Sequence, residues 1–237
     1  MLLETGLDLK KGRLPDAAHH VFQYLHLARK LGAEGEPLPP TLAVTEQEVA
    51  GICERFKADV PTRRRNPLIG INAGAEYGPA KRWPKERFIE TATAYTKEHP
   101  CDWWVFGGQN DRPLAAEIAR AIQGSIGERG KATSLAGETS LRELCSGLKA
   151  LDALLTNDSG PMHVAAALGT PVVAVFGSTN PELTGPGLPG KSRHQLLRQA
   201  PACAPCFLRE CPVDLRCLAA VSSESAVQAL RRVLSGV

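Results

Sequence analysis

Between Leu68 and Phe176 short apolar runs alternate with segments of helical period, and no other feature limits the fold as tightly. Leu68–Asn72, Asp102–Phe106, Thr133–Leu135, Ala153–Thr156 and Val172–Phe176 read as strands. Pro84–Glu98, Asp111–Ile122, Ser140–Lys149 and Pro161–Leu168 read as helices. Strands separated by helices form a parallel sheet, because each crossover must carry the chain back over one face. The expectation is an α/β fold with a Rossmann-like doubly wound parallel sheet over residues 68–237. Ahead of it, Pro15–Leu31 keeps a helical pattern and Pro37-Leu38-Pro39-Pro40 reads as a connector. Thr45 with Glu48 predicts a capping box for a helix to about Lys57, and Ser223–Leu234 reads as the last helix.

Ligands of open parallel sheets sit at the carboxyl ends of the strands, so the residues that follow each strand carry the functional argument. The densest signal is Thr156-Asn157-Asp158-Ser159-Gly160-Pro161-Met162-His163. A buried run ends there in a tight polar turn, and a small-residue helix opens at Pro161, where the missing N–H costs nothing. Such a helix start offers free amides and the positive end of a dipole to a phosphate. Gly160 would admit a ligand to the backbone, and Ser159 would donate to an oxygen. His163 would donate to a phosphate or pack on the helix. Asp158 would accept from a sugar or orient the neighbouring amides.

The first strand is followed by Gly74 and Ala75 and then by Lys81, a flexible cation just before a helix. Gly107 and Gly108 follow the second strand and would leave room for a ring. Ala136–Thr139 follows the third and would read a base edge, with Thr139 at its end. Together these loops predict a nucleotide or nucleotide-sugar site in which protein donors stabilise a departing diphosphate. There is no Walker-type glycine-lysine loop, no Gly-x-Ser-x-Gly elbow and no dinucleotide fingerprint.

A net charge of +3 over 237 residues gives no argument for nucleic acid, and Arg63-Arg64-Arg65 is too short to change that. No apolar run reaches membrane-spanning length and the start lacks the pattern of a signal peptide, so the expectation is a soluble, cytoplasmic chain. Seven cysteines, an odd number, argue against a disulfide framework. Four of them form Cys203-x2-Cys206-x4-Cys211-x5-Cys217. They would supply a structural zinc, stand as reduced thiols, or form a redox-dependent disulfide.

Residues 74–84, Leu135-Ala136-Gly137-Glu138-Thr139 and residues 156–167 with Phe176-Gly177 resemble the ADP-heptose:lipopolysaccharide heptosyltransferases, glycosyltransferase family 9, the first segment most closely its type II branch. The resemblance implies a GT-B fold of two facing Rossmann-like domains, of which this chain carries the C-terminal, donor-binding half. Residues 1–67 would be a remnant of the N-terminal acceptor domain and the linker. The implied reaction moves heptose from ADP-L-glycero-β-D-manno-heptose to the lipopolysaccharide inner core with inversion, requiring no cofactor. It would work at the inner face of the inner membrane, where peripheral contact is expected.

By the same resemblance Lys81 would neutralise the diphosphate and Asp158 would contact the heptose. Ser159, Gly160 and His163 would line the phosphate pocket, and Thr139 would sit near the adenosine. Two such domains need roughly 150 residues each, and only 67 residues precede the first strand here. The family's acceptor site and its general-base aspartate fall outside the matching residues. The chain is expected to bind donor yet be catalytically incomplete alone. The rival readings are a noncatalytic nucleotide-binding module and a same-family transferase for another nucleotide sugar.

Overall fold

The computed structural model describes residues 18–189 and 193–235. Six strands form one sheet: β1 (Leu68–Asn72), β2 (Asp102–Phe106), β3 (Ala132–Ser134), β4 (Ala153–Asn157), β5 (Val172–Phe176) and β6 (Gln195–Arg198). All pairs are parallel, in the order β3-β2-β1-β4-β5-β6. The strand order reverses between β1 and β4. That is the topological switch point at which doubly wound sheets bind ligands.

The helices are α1 (His20–Lys30), α2 (Glu46–Arg55), α3 (Lys85–Glu98), α4 (Arg112–Ile126), α5 (Leu141–Ala150), α6 (Gly160–Ala167), α7 (Pro181–Thr184), α8 (Arg216–Ala219) and α9 (Ser223–Leu234). The period-2 geometry of a strand sends alternate residues to opposite faces, and the two cores follow it. Ile69, Ile71, Trp103, Val105, Leu155, Val173 and Val175 pack under α3, α4, α8 and α9 with Phe88, Ile118, Leu218 and Leu230. Leu68, Trp104, Phe106, Leu154, Val172 and Ala174 pack under α2, α5 and α6 with Ile52, Leu148 and Met162. The second core draws in Val44, Val49 and Phe56, so the packed unit begins ahead of Leu68.

The capping box expected at Thr45 and Glu48 is present, and Ser140 with Glu143 makes another at α5. The sheet holds a strand that the residue pattern does not signal: β6 is only four residues long and lies at the edge. The helix predicted over Pro15–Leu31 is seen as His20–Lys30, and residues 15–17 lie outside the described residues. It buries none of its side chains, and Tyr24 is 70 % and Leu31 90 % exposed. No described helix is long and apolar enough to cross a membrane.

Candidate functional site

The carboxyl ends of β1 and β4 are tied to each other by two asparagines that close their strands. Asn157 is fully buried; its Oδ1 accepts from the Trp83 amide at 3.0 Å and its Nδ2 donates to the Ala73 carbonyl at 2.7 Å. Asn72 Nδ2 donates to Ser159 Oγ at 3.0 Å and to the Gly74 carbonyl at 3.2 Å. Three of these contacts, all but that of Asn72 with Gly74, fix the turn after β4 against the segment after β1. Ser159 occupies the N-cap of α6 but makes no capping hydrogen bond, because its hydroxyl is turned to Asn72 and the Asn157 carbonyl. A Cβ built on Gly160 would meet nothing within 4 Å, so the helix start stands open.

Around this seam lies a cleft of about 450 Å³, within the range that suits a small ligand. Gly74, Ala75, Gly107, Gly108, Thr139, Ser159 and Gly160 all line it, joined by Asn72, Asp111, Leu141 and Leu144. Seven of the expected donor-binding residues from four separate loops therefore share one cavity. Leu141, 74 % exposed, and Leu144 give it an apolar wall at the end toward β3. The space that a side chain at Gly74 or Gly107 would need is taken by Asp111, while Gly107 and Gly108 both border the open cleft. A Cβ on Gly74 would lie 2.7 Å from Asp111 Oδ2, and one on Gly107 2.6 Å from Asp111 Cβ. Asp111 Oδ2 accepts the Gly108 amide at 2.9 Å.

Lys81 and Asp158 form an ion pair at 2.6 Å beside the cleft, with only 13 % and 4 % of their side chains exposed. The same Asp158 oxygen accepts from Thr179 Oγ1 at 2.6 Å. The carboxylate expected to face a sugar is thus turned inward, and its visible task is to hold the Lys81 ammonium. Lys81 Nζ also lies 4.7 Å from the centre of the Tyr77 ring. His163 sits on the first turn of α6, close enough to Asp158 and Lys81 to feel both charges. The surrounding protein lowers its imidazole pKa; Asp158 opposes this, while His19 and Lys81 add to it. It lines a second, smaller cavity of about 300 Å³ with His19, Tyr24, Pro40, Thr184 and Gly185 rather than the main cleft. A wider depression of about 960 Å³ lies at the opposite, amino edge of the strands and gathers none of the expected residues.

The cysteine loop departs from the tetrathiolate expectation. Cys203 is exposed, Cys206 and Cys211 are half-buried and Cys217 is buried, all as free thiols. Among the described residues no group of three or more His, Cys, Asp or Glu side chains is disposed to hold a metal ion. Cys211 Sγ instead accepts the Leu215 amide at 3.4 Å, and amides of Val213, Leu215 and Asp214 pull its thiol pKa down. Burial pushes that of Cys217 up.

Asn72, Asn157, Asp111, Tyr77 and Thr179 shape the site without having been singled out by residue type. The asparagines had a signal: two apolar strands at the switch point, Leu-Ile-Gly-Ile-Asn and Ala-Leu-Leu-Thr-Asn, both end in one. Tyr77 and Thr179 had none, since their partners come from distant segments.

The strand order, the open start of α6 and the ion-paired lysine define a Rossmann-like domain with a ligand cleft at its switch point. A model of glycosyltransferase family 9 (heptosyltransferase) matches residues 6–216, and the chain belongs to that family. It is 38 % identical to lipopolysaccharide heptosyltransferase 2 of Salmonella typhimurium over 173 residues, which are 70 % of this chain and 48 % of that protein. Against lipopolysaccharide heptosyltransferase 2 of Escherichia coli the identity is 37 %, with the same coverage. The solved structure of E. coli ADP-heptose lps heptosyltransferase II superposes with a TM-score of 0.70 at 31 % identity, over 87 % of this chain and 56 % of that one. A family 9 structure from Veillonella parvula, 22 % identical over 96 % of this chain and 63 % of that one, shares the fold with a TM-score of 0.71. The chain spans about half the length of the relatives it matches.

Proposed function

We propose that this chain is the donor-binding half of a heptosyltransferase, which binds ADP-L-glycero-β-D-manno-heptose for inverting transfer to the lipopolysaccharide inner core. The observation that carries this reading is the cleft at the switch point, where seven residues from four loops meet the open end of α6 and the Lys81–Asp158 pair stands alongside. The adenine would lie toward Leu141, Leu144 and Thr139. The diphosphate would lie at Ser159 and Gly160, within reach of Lys81. In transfer, an acceptor hydroxyl attacks the anomeric carbon as its bond to the diphosphate breaks, and ADP leaves with the electron pair. Charge that grows on the departing oxygens is what a lysine and a helix start stabilise. Asp158 and Thr179 would keep the ammonium aimed, and the proton of the acceptor would go to a base outside this half.

In this reading residues 1–67 derive from the acceptor domain and linker, 68–237 make the donor domain, and no metal or cofactor takes part in the transfer. The acceptor, and any peripheral contact with the inner membrane, belong to the two-domain enzyme. Calorimetric titration of the full chain with ADP-heptose, ADP and UDP tests it. Binding of the two adenine nucleotides, weakened at least tenfold by Lys81→Ala, is the expected result. Equal binding of UDP would point to another nucleotide sugar, and no binding to any of them would refute a donor site.

A further inference from the structure

The loop that carries the cysteines is fastened to the turn that carries Lys81. The Ala80 amide donates to the Arg209 carbonyl at 3.0 Å, and Tyr77 Oη donates to the Phe207 carbonyl at 2.6 Å. The Phe207 amide in turn donates to the Ser178 carbonyl at 2.8 Å, which anchors the loop after β5. Gly78 makes the approach possible. It has φ +148°, and a Cβ there would lie 2.4 Å from the Arg209 oxygen. These contacts use backbone atoms of residues 207–209, so the loop's register beside the site does not depend on its side chains.

The side chain of Arg209 thereby reaches the same aromatic ring as Lys81. Its guanidinium carbon lies 5.6 Å from the centre of the Tyr77 ring, the ring that Lys81 Nζ approaches at 4.7 Å. Two cations share one aromatic side chain. Asp158 pairs with Lys81, but among the described residues no carboxylate pairs with Arg209, which is exposed. An aromatic face attracts a cation without neutralising it. Asp158 already balances Lys81, so the charge left without a carboxylate at the ring is that of Arg209, and a planar guanidinium suits phosphate oxygens.

We propose that Arg209 is a second cation of the donor site, set by Tyr77 beside Lys81 to meet the diphosphate. This rests on the donor-site reading above. Tyr77 is the positioning residue, acting through its ring on both cations and through its hydroxyl on the loop.

The test is calorimetric titration of the full chain with ADP and with adenosine, for wild type, Arg209→Ala, Arg209→Lys, Tyr77→Phe and Tyr77→Leu. Thermal melts of each variant check folding. The expected result is a loss of about tenfold or more in ADP affinity for Arg209→Ala, with adenosine affinity unchanged and partial recovery in Arg209→Lys. Tyr77→Phe keeps most of the ADP affinity and Tyr77→Leu loses it, because the ring does the positioning. The ADP affinity of wild type should also fall more steeply with added salt than that of Arg209→Ala. ADP affinity within twofold of wild type in Arg209→Ala would overturn the proposal, as would equal losses for ADP and adenosine. If wild type itself fails to bind ADP, the donor-site reading falls first and takes this one with it.

Discussion

The seam between β1 and β4 and the clasp between residues 77–81 and 207–209 lie side by side, yet they are built by different means. At the seam, short-range rules suffice. Two apolar strands run parallel, each stops at an asparagine, and the chain turns directly into a helix that opens on Pro161. At the clasp, a turn after the first strand meets a loop about 130 residues further on through backbone hydrogen bonds and a shared aromatic ring. On the proposed reading the buried seam would fix where a ligand's phosphates go, and the exposed Tyr77 and Arg209 of the clasp would decide which charges stand beside them. Substitutions at the seam should therefore cost stability first, and those at the clasp should cost affinity with little change in stability.

The largest effect is expected from Asp158→Ala. It leaves the Lys81 ammonium without its counter-ion in a site where only 13 % of that side chain meets water. Breaking such a pair costs about 3–5 kcal/mol, and urea unfolding of the variant should show a midpoint lowered accordingly. A loss under about 1 kcal/mol would mean that the pair is solvated and that the seam is softer than argued. Asn157→Ala comes next. It strands the Trp83 amide and the Ala73 carbonyl in the interior, at about 1–3 kcal/mol for each unsatisfied group. By contrast Arg209→Ala and Tyr77→Phe, on the exposed clasp, should stay within about 1 kcal/mol of wild type in the same assay. Comparable losses on both sides would erase the distinction.

The seam was legible in the sequence because its determinants are local. Pro161, Gly160 and Ser159 declare a helix start, and the apolar runs declare parallel strands. Gly74 and Gly107 were legible as positions of close approach but not as to what approaches: Asp111, four residues after Gly107, stands where their side chains would be. Asp158 was legible as a site residue, while its inward turn to Lys81 and Thr179 depends on how the β5 loop folds back. The clasp was not legible at all. Cys203, Cys206, Cys211 and Cys217 drew attention to that loop as thiols, whereas its contacts with the site run through the intervening Phe207 and Arg209. β6 was missed for a related reason, since four residues at a sheet edge carry too little periodicity to stand out.

A smaller effect concerns the imidazole that ties the start of α1 to the end of α7. His19 Nδ1 accepts the Val21 amide at 3.2 Å while Nε2 faces the Gly185 carbonyl at 2.9 Å, an arrangement that suits the neutral ring with its proton on Nε2. Burial lowers its pKa below 6.5; the Gly185 carbonyl opposes that and His20 adds to it. The unfolded chain then binds the proton more readily than the folded one. Stability held above pH 6.5 should fall as the pH drops through 6.5, until the folded ring is itself protonated. Thermal melts between pH 7.5 and about 5 should show this fall, and His19→Gln should flatten it. An unchanged pH dependence in that variant would assign the fall to other groups, with His163 and His194, both lowered by burial, the next to test.

The most direct test of the donor-site account is a crystal structure of the full chain with ADP. The account predicts the diphosphate at Ser159 and Gly160, at the start of α6 and within reach of Lys81, with the base against Leu141. ADP seated instead in the depression at the amino edge of the strands, near Lys149 and Arg231, would contradict it.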